Sequence, residues 1–103
     1  MLNNSQPKVD MHKLREINKK YNFKVKQIRS DLVLITTGLN EWMIEIEEYN
    51  IYNKKNIILK HKNTRFNTDR WHEQRRFYDL KWTLGHIDYH DNKRMKGLFH
   101  KIK

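Results

Sequence analysis

The chain has 103 residues, a length that limits it to one modest hydrophobic core, and its formal net charge is +10. It contains no cysteine, which excludes disulfides and thiolate metal sites. Because it begins without the apolar run of a signal peptide and has no stretch of about 20 apolar residues, we expect a soluble, cytoplasmic protein without a membrane span.

The first predicted element is a short amphipathic helix that follows a flexible N-terminus, residues 1–9. Asp10 is a favourable N-cap, and apolar side chains then recur at a spacing of three to four residues: Met11, Leu14, Ile17 and Tyr21. We place a single folded domain at residues 10–91 and a basic C-terminal tail at 92–103.

An antiparallel meander is predicted next, because helical spacing gives way to period-two alternation and, in "DLVLITT", to a nearly continuous apolar run that is typical of a central strand. The strand patterns are "FKVKQI", "DLVLITT", "EWMIEIEE" and "IILKHK", with turn signals at "TGLN" and "NKKN". After Glu47 the apolar phase slips to Tyr49 and Ile51, which indicates a bulge or a strand break. We therefore predict four strands, with a fifth as an alternative.

A long helix is predicted from Thr68 or Asp69 onward, so the predicted fold is α+β, with an N-terminal helix, a four-stranded meander and a long C-terminal helix packed on the sheet. At about 100° per residue this helix carries two apolar stripes on opposite sides. The stripe expected to cover the sheet contains Phe77, Leu80, Leu84 and Ile87, whereas the second, the aromatic ridge, contains Trp71, Tyr78, Trp82 and Tyr89.

Two interpretations of the aromatic ridge remain open. In the first, the N-terminal helix packs on the ridge and makes it a second core face. In the second, the ridge is an exposed binding surface, since aromatic residues flanked by arginine are typical of base stacking and of protein interface hot spots. Arg75 falls in the same sector as the ridge, and Arg70, Arg76 and Lys81 border one stripe or the other.

A basic segment follows Asn53 and supplies further candidate contacts. Its members are Lys54, Lys55, Lys60, His61, Lys62 and Arg65. They are interpreted either as a phosphate-contacting surface or as an edge strand that lysines protect from aggregation. One acidic strand opposes them, with Glu41, Glu45, Glu47 and Glu48, and any nucleic-acid surface is expected to lie away from it.

The net charge favours a polyanionic partner, because Lys and Arg bind phosphates by releasing condensed counterions. The absence of Ala and the abundance of Asn, Lys and Ile are also typical of AT-rich codon usage, which explains part of the charge. The tail "NKRMKGLFHKIK" has the spacing of a short basic amphipathic helix, and we expect it to pack or fray rather than bind a membrane.

Metal and catalytic chemistry find little support in the sequence. His86 and His90 have the i, i+4 spacing of a ligand pair, but no third ligand is evident, so we predict no metal site and no cofactor. Small basic RNA-cleaving toxins offer an enzymatic alternative, with acid, base and phosphate-binding groups drawn from His61, Arg65, His72, Arg75 and Tyr78. No spacing supports a particular pair, and we predict that the protein is not an enzyme.

The order of helix, meander and helix resembles that of double-stranded RNA-binding domains, although their Gly-Pro and His signature is missing. Trp42, "LKHKN", "WHEQ" and "HIDYHD" resemble segments of small uncharacterised proteins of phages and mobile elements from low-GC Gram-positive bacteria. That resemblance spans residues 41–91 and implies an accessory protein that acts by binding. We therefore predict a non-catalytic protein that binds DNA or RNA. The alternative is an inhibitor that binds a host nucleic-acid-handling protein, such as an anti-CRISPR. Whether the protein forms a homodimer through the aromatic ridge is left open.

Overall fold

The computed structural model describes residues 6–38, 40–62 and 71–101, with side chains to residue 91. Its elements are α1 Met11–Asn18, β1 Lys24–Arg29, β2 Leu32–Thr36, β3 Glu41–Ile46, β4 Ile57–Lys62, β5 Trp71–Phe77 and α2 Leu80–Lys101. The α+β class is confirmed, but the sheet has five antiparallel strands rather than four.

Each described strand pairs with its neighbour in the chain, so the spatial order is β1-β2-β3-β4-β5, with β1 and β5 at the edges of the described sheet. The meander from β1 to β4 lies where the strand patterns predict it. The segment after Glu47 is a loop with a single bridge between Asn50 and Asn53, not a strand. Because β4 is paired on both sides, the interpretation of Lys60 and Lys62 as part of a protected edge strand is wrong.

The prediction of one long helix beginning at Thr68 or Asp69 is wrong. Trp71–Phe77 forms a strand on the outer side of β4, and α2 begins only at Leu80. The carboxylate Oδ1 of Asp79 accepts a hydrogen bond from the Trp82 N–H at 2.9 Å, as an N-cap does. In residues 71–77, strand pairing with β4 outweighs the helical spacing of the apolar residues. The two proposed N-caps, Thr68 and Asp69, lie outside the described residues.

The core occupies one face of the sheet. The register aligns Val33, Ile44 and Leu59 across β2, β3 and β4, and side chains of both helices pack against this face. Four predicted core residues are buried there: Phe77, Leu80, Leu84 and Ile87. The predicted stripe is therefore confirmed, although its first member belongs to β5 rather than to the helix.

At the N-terminal end, α1 begins as predicted, because the Asp10 carboxylate accepts a hydrogen bond from the Lys13 N–H at 3.1 Å. Val9 is buried, and its N–H donates to the Ser30 carbonyl at 2.8 Å. At the other end, α2 continues without interruption through residues 92–101. The apolar side chains predicted for the tail lie outside the described residues. Within the part of the chain that is described, no helix combines the length and the apolarity needed to cross a membrane.

Candidate nucleic-acid interface

The junction between β5 and α2 carries a cluster of aromatic rings and cations, here called the β5–α2 surface. It contains Lys55, Arg75, Arg76, Phe77, Tyr78 and Trp82, which together line a cavity of about 210 Å³. Tyr78 lies in the turn after β5, and Trp82 lies in the first turn of α2, where the Asp79 cap fixes its backbone. Tyr78 is 65% exposed and Trp82 70%, so both rings are open to a ligand.

Two cations of this surface lie against aromatic rings. The Lys55 Nζ is 5.2 Å from the centroid of the Tyr78 ring, and the Arg75 guanidinium carbon is 5.7 Å from that of Phe77. Both distances are within the range of cation–π contacts. Among the described residues, neither Lys55 nor Arg75 has a carboxylate within ion-pair distance. Their charges are therefore not neutralised there, and each lies beside an aromatic ring.

Arg76 differs from Arg75 in this respect. Its Nη1 donates to Glu47 Oε1 at 2.6 Å, and its Nε donates to Glu73 Oε2 at 3.3 Å. The hydrogen bond from Arg76 lowers the pKa of Glu47, and the two carboxylates raise the pKa of the arginine. Arg76 therefore adds little net positive charge to the surface.

The loop between β3 and β4 extends this surface. A second cavity of about 320 Å³ is lined by Ile51, Tyr52, Asn53, Lys54, Lys55, Arg76 and Tyr78. Tyr52 is 92% exposed at its rim. Because Lys55 and Tyr78 line both cavities, the two cavities form one continuous surface.

The predicted binding residues divide into those that the fold brings together and those that it separates. Lys54, Lys55, Arg75, Arg76, Tyr78 and Trp82 line the two cavities. Tyr89 is 64% exposed on the Trp82 side of α2, about two turns further along. Lys60, Lys62 and Trp71 lie on the face of the sheet opposite the helices, where the Lys60 Nζ pairs with Glu45 Oε1 at 2.8 Å. Arg65 and Arg70 lie outside the described residues.

The aromatic ridge, as predicted on one helix, does not exist, since Trp71 belongs to β5 and Tyr78 to the turn. The interpretation that α1 covers the ridge is also wrong, because Tyr78, Trp82 and Tyr89 are each at least 64% exposed. Instead, α1 packs into the core through Leu14, and the Tyr21 hydroxyl lies close to Gly85 on α2. The exposed rings are therefore a surface feature rather than a second core.

The acidic strand is partly neutralised by neighbouring cations. Glu45 contacts the Nη2 of Arg29 at 3.4 Å and the Nζ of Lys60 at 2.8 Å, on the sheet face opposite the helices. As Glu47 pairs with Arg76, the repulsion expected between this strand and a phosphate backbone is reduced.

A histidine cluster around Trp42 was not predicted. The ring of the buried Trp42 stacks on His61 with centroids 4.3 Å apart and meets the edge of His90 at 5.0 Å. His72 lies across the strand pair from His61, with ring centroids 5.8 Å apart, and His86 lies between Trp42 and Phe77. Cross-strand pairing brings Trp42, His61 and His72 together, and the packing of α2 on the sheet adds His86 and His90.

Burial lowers the pKa of His86, and the nearby charges of Arg75 and His90 lower it further. In the described part of the chain, no three His, Asp or Glu side chains are arranged to hold one metal ion. The residues proposed for a catalytic constellation are divided, since the buried His61 packs on Trp42 whereas Arg75 and Tyr78 belong to the β5–α2 surface.

Asp91 is a second feature that the sequence analysis missed. This buried carboxylate accepts a hydrogen bond from the Asn40 side-chain amide at 2.8 Å and another from the Thr37 hydroxyl. It therefore fixes α2 to the turn between β2 and β3. A partly apolar helix face ending in a carboxylate was the only sequence signal for this contact.

Comparison of the chain with protein-family models, with curated proteins and with solved structures gave no match.

Proposed function

We propose that this protein is a non-catalytic nucleic-acid-binding protein whose contact surface is the β5–α2 surface. The observation that carries the proposal is that two exposed rings, Trp82 and Tyr78, line one cavity with two cations that have no described carboxylate partner, Lys55 and Arg75. Rings bind bases by stacking and cations bind phosphates, so the two groups together match a nucleic-acid chain.

The net charge of +10 supports the same conclusion, since the summed positive charge of the whole protein attracts a polyanion such as a nucleic acid. The positions of the carboxylates are compatible with it, because Glu45 and Glu47 are occupied by Arg29, Lys60 and Arg76. An accessory role in a phage or mobile element is part of the proposal and depends on the resemblance of residues 41–91.

The proposal is tested by titrating labelled single-stranded and double-stranded DNA and RNA with the protein across a salt series. Affinity should fall as salt rises, with a logarithmic slope of about −0.7 to −0.9 for each phosphate neutralised, and at least about three phosphates should be involved. Affinity that does not change between about 50 and about 200 mM salt, or no binding at all, would contradict the proposal.

A second candidate function is direct inhibition of a host nucleic-acid-handling protein. The loop between β3 and β4 favours it, because Tyr49, Ile51 and Tyr52 are 64%, 75% and 92% exposed next to Glu47 and Glu48. Exposed aromatic and aliphatic side chains beside carboxylates suit a protein partner better than a phosphate backbone. Tyr49→Ala distinguishes the two functions, since it should weaken inhibition of a host protein but leave binding to an oligonucleotide unchanged.

A further inference from the structure

We infer that the β5–α2 surface binds single-stranded nucleic acid, with one base stacked against Trp82 and Tyr78, the next against Tyr52, and phosphates at Lys55 and Arg75. This inference rests on the proposed function and specifies which form of nucleic acid is bound.

The dimensions of the first cavity suit a single base. Its volume of about 210 Å³ is below the roughly 300 Å³ at which pockets for drug-sized ligands begin. It is bordered by the rings of Phe77, Tyr78 and Trp82, with cationic side chains beside them. A planar base with an anionic group attached combines the two chemistries that this lining offers.

The second cavity supplies the next position along a strand. Lys55 and Tyr78 line both cavities, and Tyr52 is at the rim of the second. A chain that places successive bases at Trp82 and Tyr52 passes Lys55 between them. Lys55 is therefore assigned to the linking phosphate, and Arg75, which lies against Phe77, to the phosphate on the Trp82 side.

The exposed rings favour a single strand over a duplex. Bases in a duplex are already stacked on their neighbours, and moving one out of the stack costs free energy, whereas a single strand presents its base faces directly. A duplex-binding surface that does not unstack bases mainly needs cations aligned with phosphates. At the β5–α2 surface, the cations without described carboxylate partners lie next to aromatic rings rather than in an extended row.

The inference is tested by fluorescence anisotropy with labelled oligonucleotides of about 12 nucleotides, as single-stranded DNA, single-stranded RNA and the matching duplexes. We expect single strands to bind at least about tenfold more tightly than duplexes. Trp82→Ala, Tyr78→Ala and Tyr52→Ala should each weaken single-strand binding by about 5- to 150-fold, the range for loss of one stacked base.

Two matched controls are available. Tyr49→Ala removes a tyrosine that is 64% exposed, close to the 65% of Tyr78, but Tyr49 lies beside Glu47 and Glu48. Lys26→Gln removes an exposed lysine on β1, at the opposite edge of the sheet, for comparison with Lys55→Gln. Both controls should bind within about twofold of wild type, because they leave the β5–α2 surface intact.

Tryptophan fluorescence gives an independent readout. Trp42 is buried and Trp71 half-buried, so quenching by a stacked base should come mainly from Trp82. Trp82→Phe should retain most of the affinity, because it retains a ring, but should lose most of the quenching.

The remaining outcomes separate this inference from the proposed function. Duplex binding as tight as single-strand binding and unaffected by Trp82→Ala would overturn the inference while the proposed function stands. No binding of any oligonucleotide at low salt would overturn both. A dimer that forms through this surface, detected by light scattering and not dissociated by single strands, would also overturn the inference.

Discussion

The two sides of α2 are both rich in large side chains, but they differ in what the rest of the fold does with them. Leu84 and Ile87 are fully buried against the sheet, whereas Trp82 and Tyr89 are 70% and 64% exposed. The difference arises because the sheet and α1 together cover only part of the helix surface. An apolar stripe therefore identifies a core face only when another element is placed to cover it.

The largest expected effect contrasts these two sides directly. Leu84→Ala should lower the free energy of unfolding by about 2 to 5 kcal/mol, because it leaves a cavity in a packed core. Trp82→Ala should change it by no more than about 0.5 kcal/mol, because the indole is largely exposed. Urea denaturation followed by circular dichroism measures both. If the two variants were equally destabilised, Trp82 would be a core residue and its assignment to a binding surface would be wrong.

The next effect concerns how the buried side of α2 is anchored. Asp91→Ala should cost about 1 to 3 kcal/mol, because it removes the acceptor for Asn40 and Thr37 in a buried environment. Glu16→Ala is the control, since it removes an exposed carboxylate whose ion pair with Lys19 contributes at most about 1 kcal/mol. Equal losses in urea denaturation would show that the Asp91 contacts add nothing beyond a surface charge.

A smaller effect concerns the histidines that lie between the two sides. Because the pKa of His86 is lowered in the folded state, the unfolded chain binds the proton first as the pH falls below about 6.5. Stability should therefore be unaffected by this group above that pH and should decrease below it. The groups facing His86 are Arg75 from β5, His90 from α2 and the rings of Trp42 and Phe77.

His86→Gln should reduce the stability lost between pH 7.5 and pH 5, two conditions chosen about one unit or more on either side of the reference pKa of histidine. His12→Gln, an exposed change on α1, is the control and should leave that loss unchanged. Denaturant titrations at both pH values decide the point. An identical loss in wild type and in His86→Gln would rule out His86 as the source.

The smallest expected effect separates two neighbouring arginines. Arg75→Gln should weaken oligonucleotide binding and reduce the salt slope by about one, because Arg75 has no described carboxylate partner. Arg76→Gln should change binding less, since Glu47 and Glu73 already neutralise Arg76, and should cost at most about 1 kcal/mol of stability. The comparison fails if the two variants have the same salt slope.

Much of the site was visible in the sequence, although its organisation was not. The exposed rings of Tyr78, Trp82 and Tyr89 and the cations Lys55 and Arg75 were all identified from composition and spacing. Their assignment to one helix was wrong, because residues 71–77, "WHEQRRF", form a strand that pairs with the side of β4 not bound by β3. The contributions of Tyr52 and of the His61 and Asp91 clusters depend on contacts between distant segments, which a periodic pattern does not encode.

The sequence by itself determined the local elements whose signals are short-range: the Asp10-capped helix, the strands from β1 to β4 and the buried stripe that includes Leu84 and Ile87. The tertiary structure decided which element Trp71–Phe77 joins and which large side chains remain exposed. Both outcomes depend on which segments form hydrogen bonds in the sheet and on which side chains other elements cover. Neither is decided until the whole chain packs.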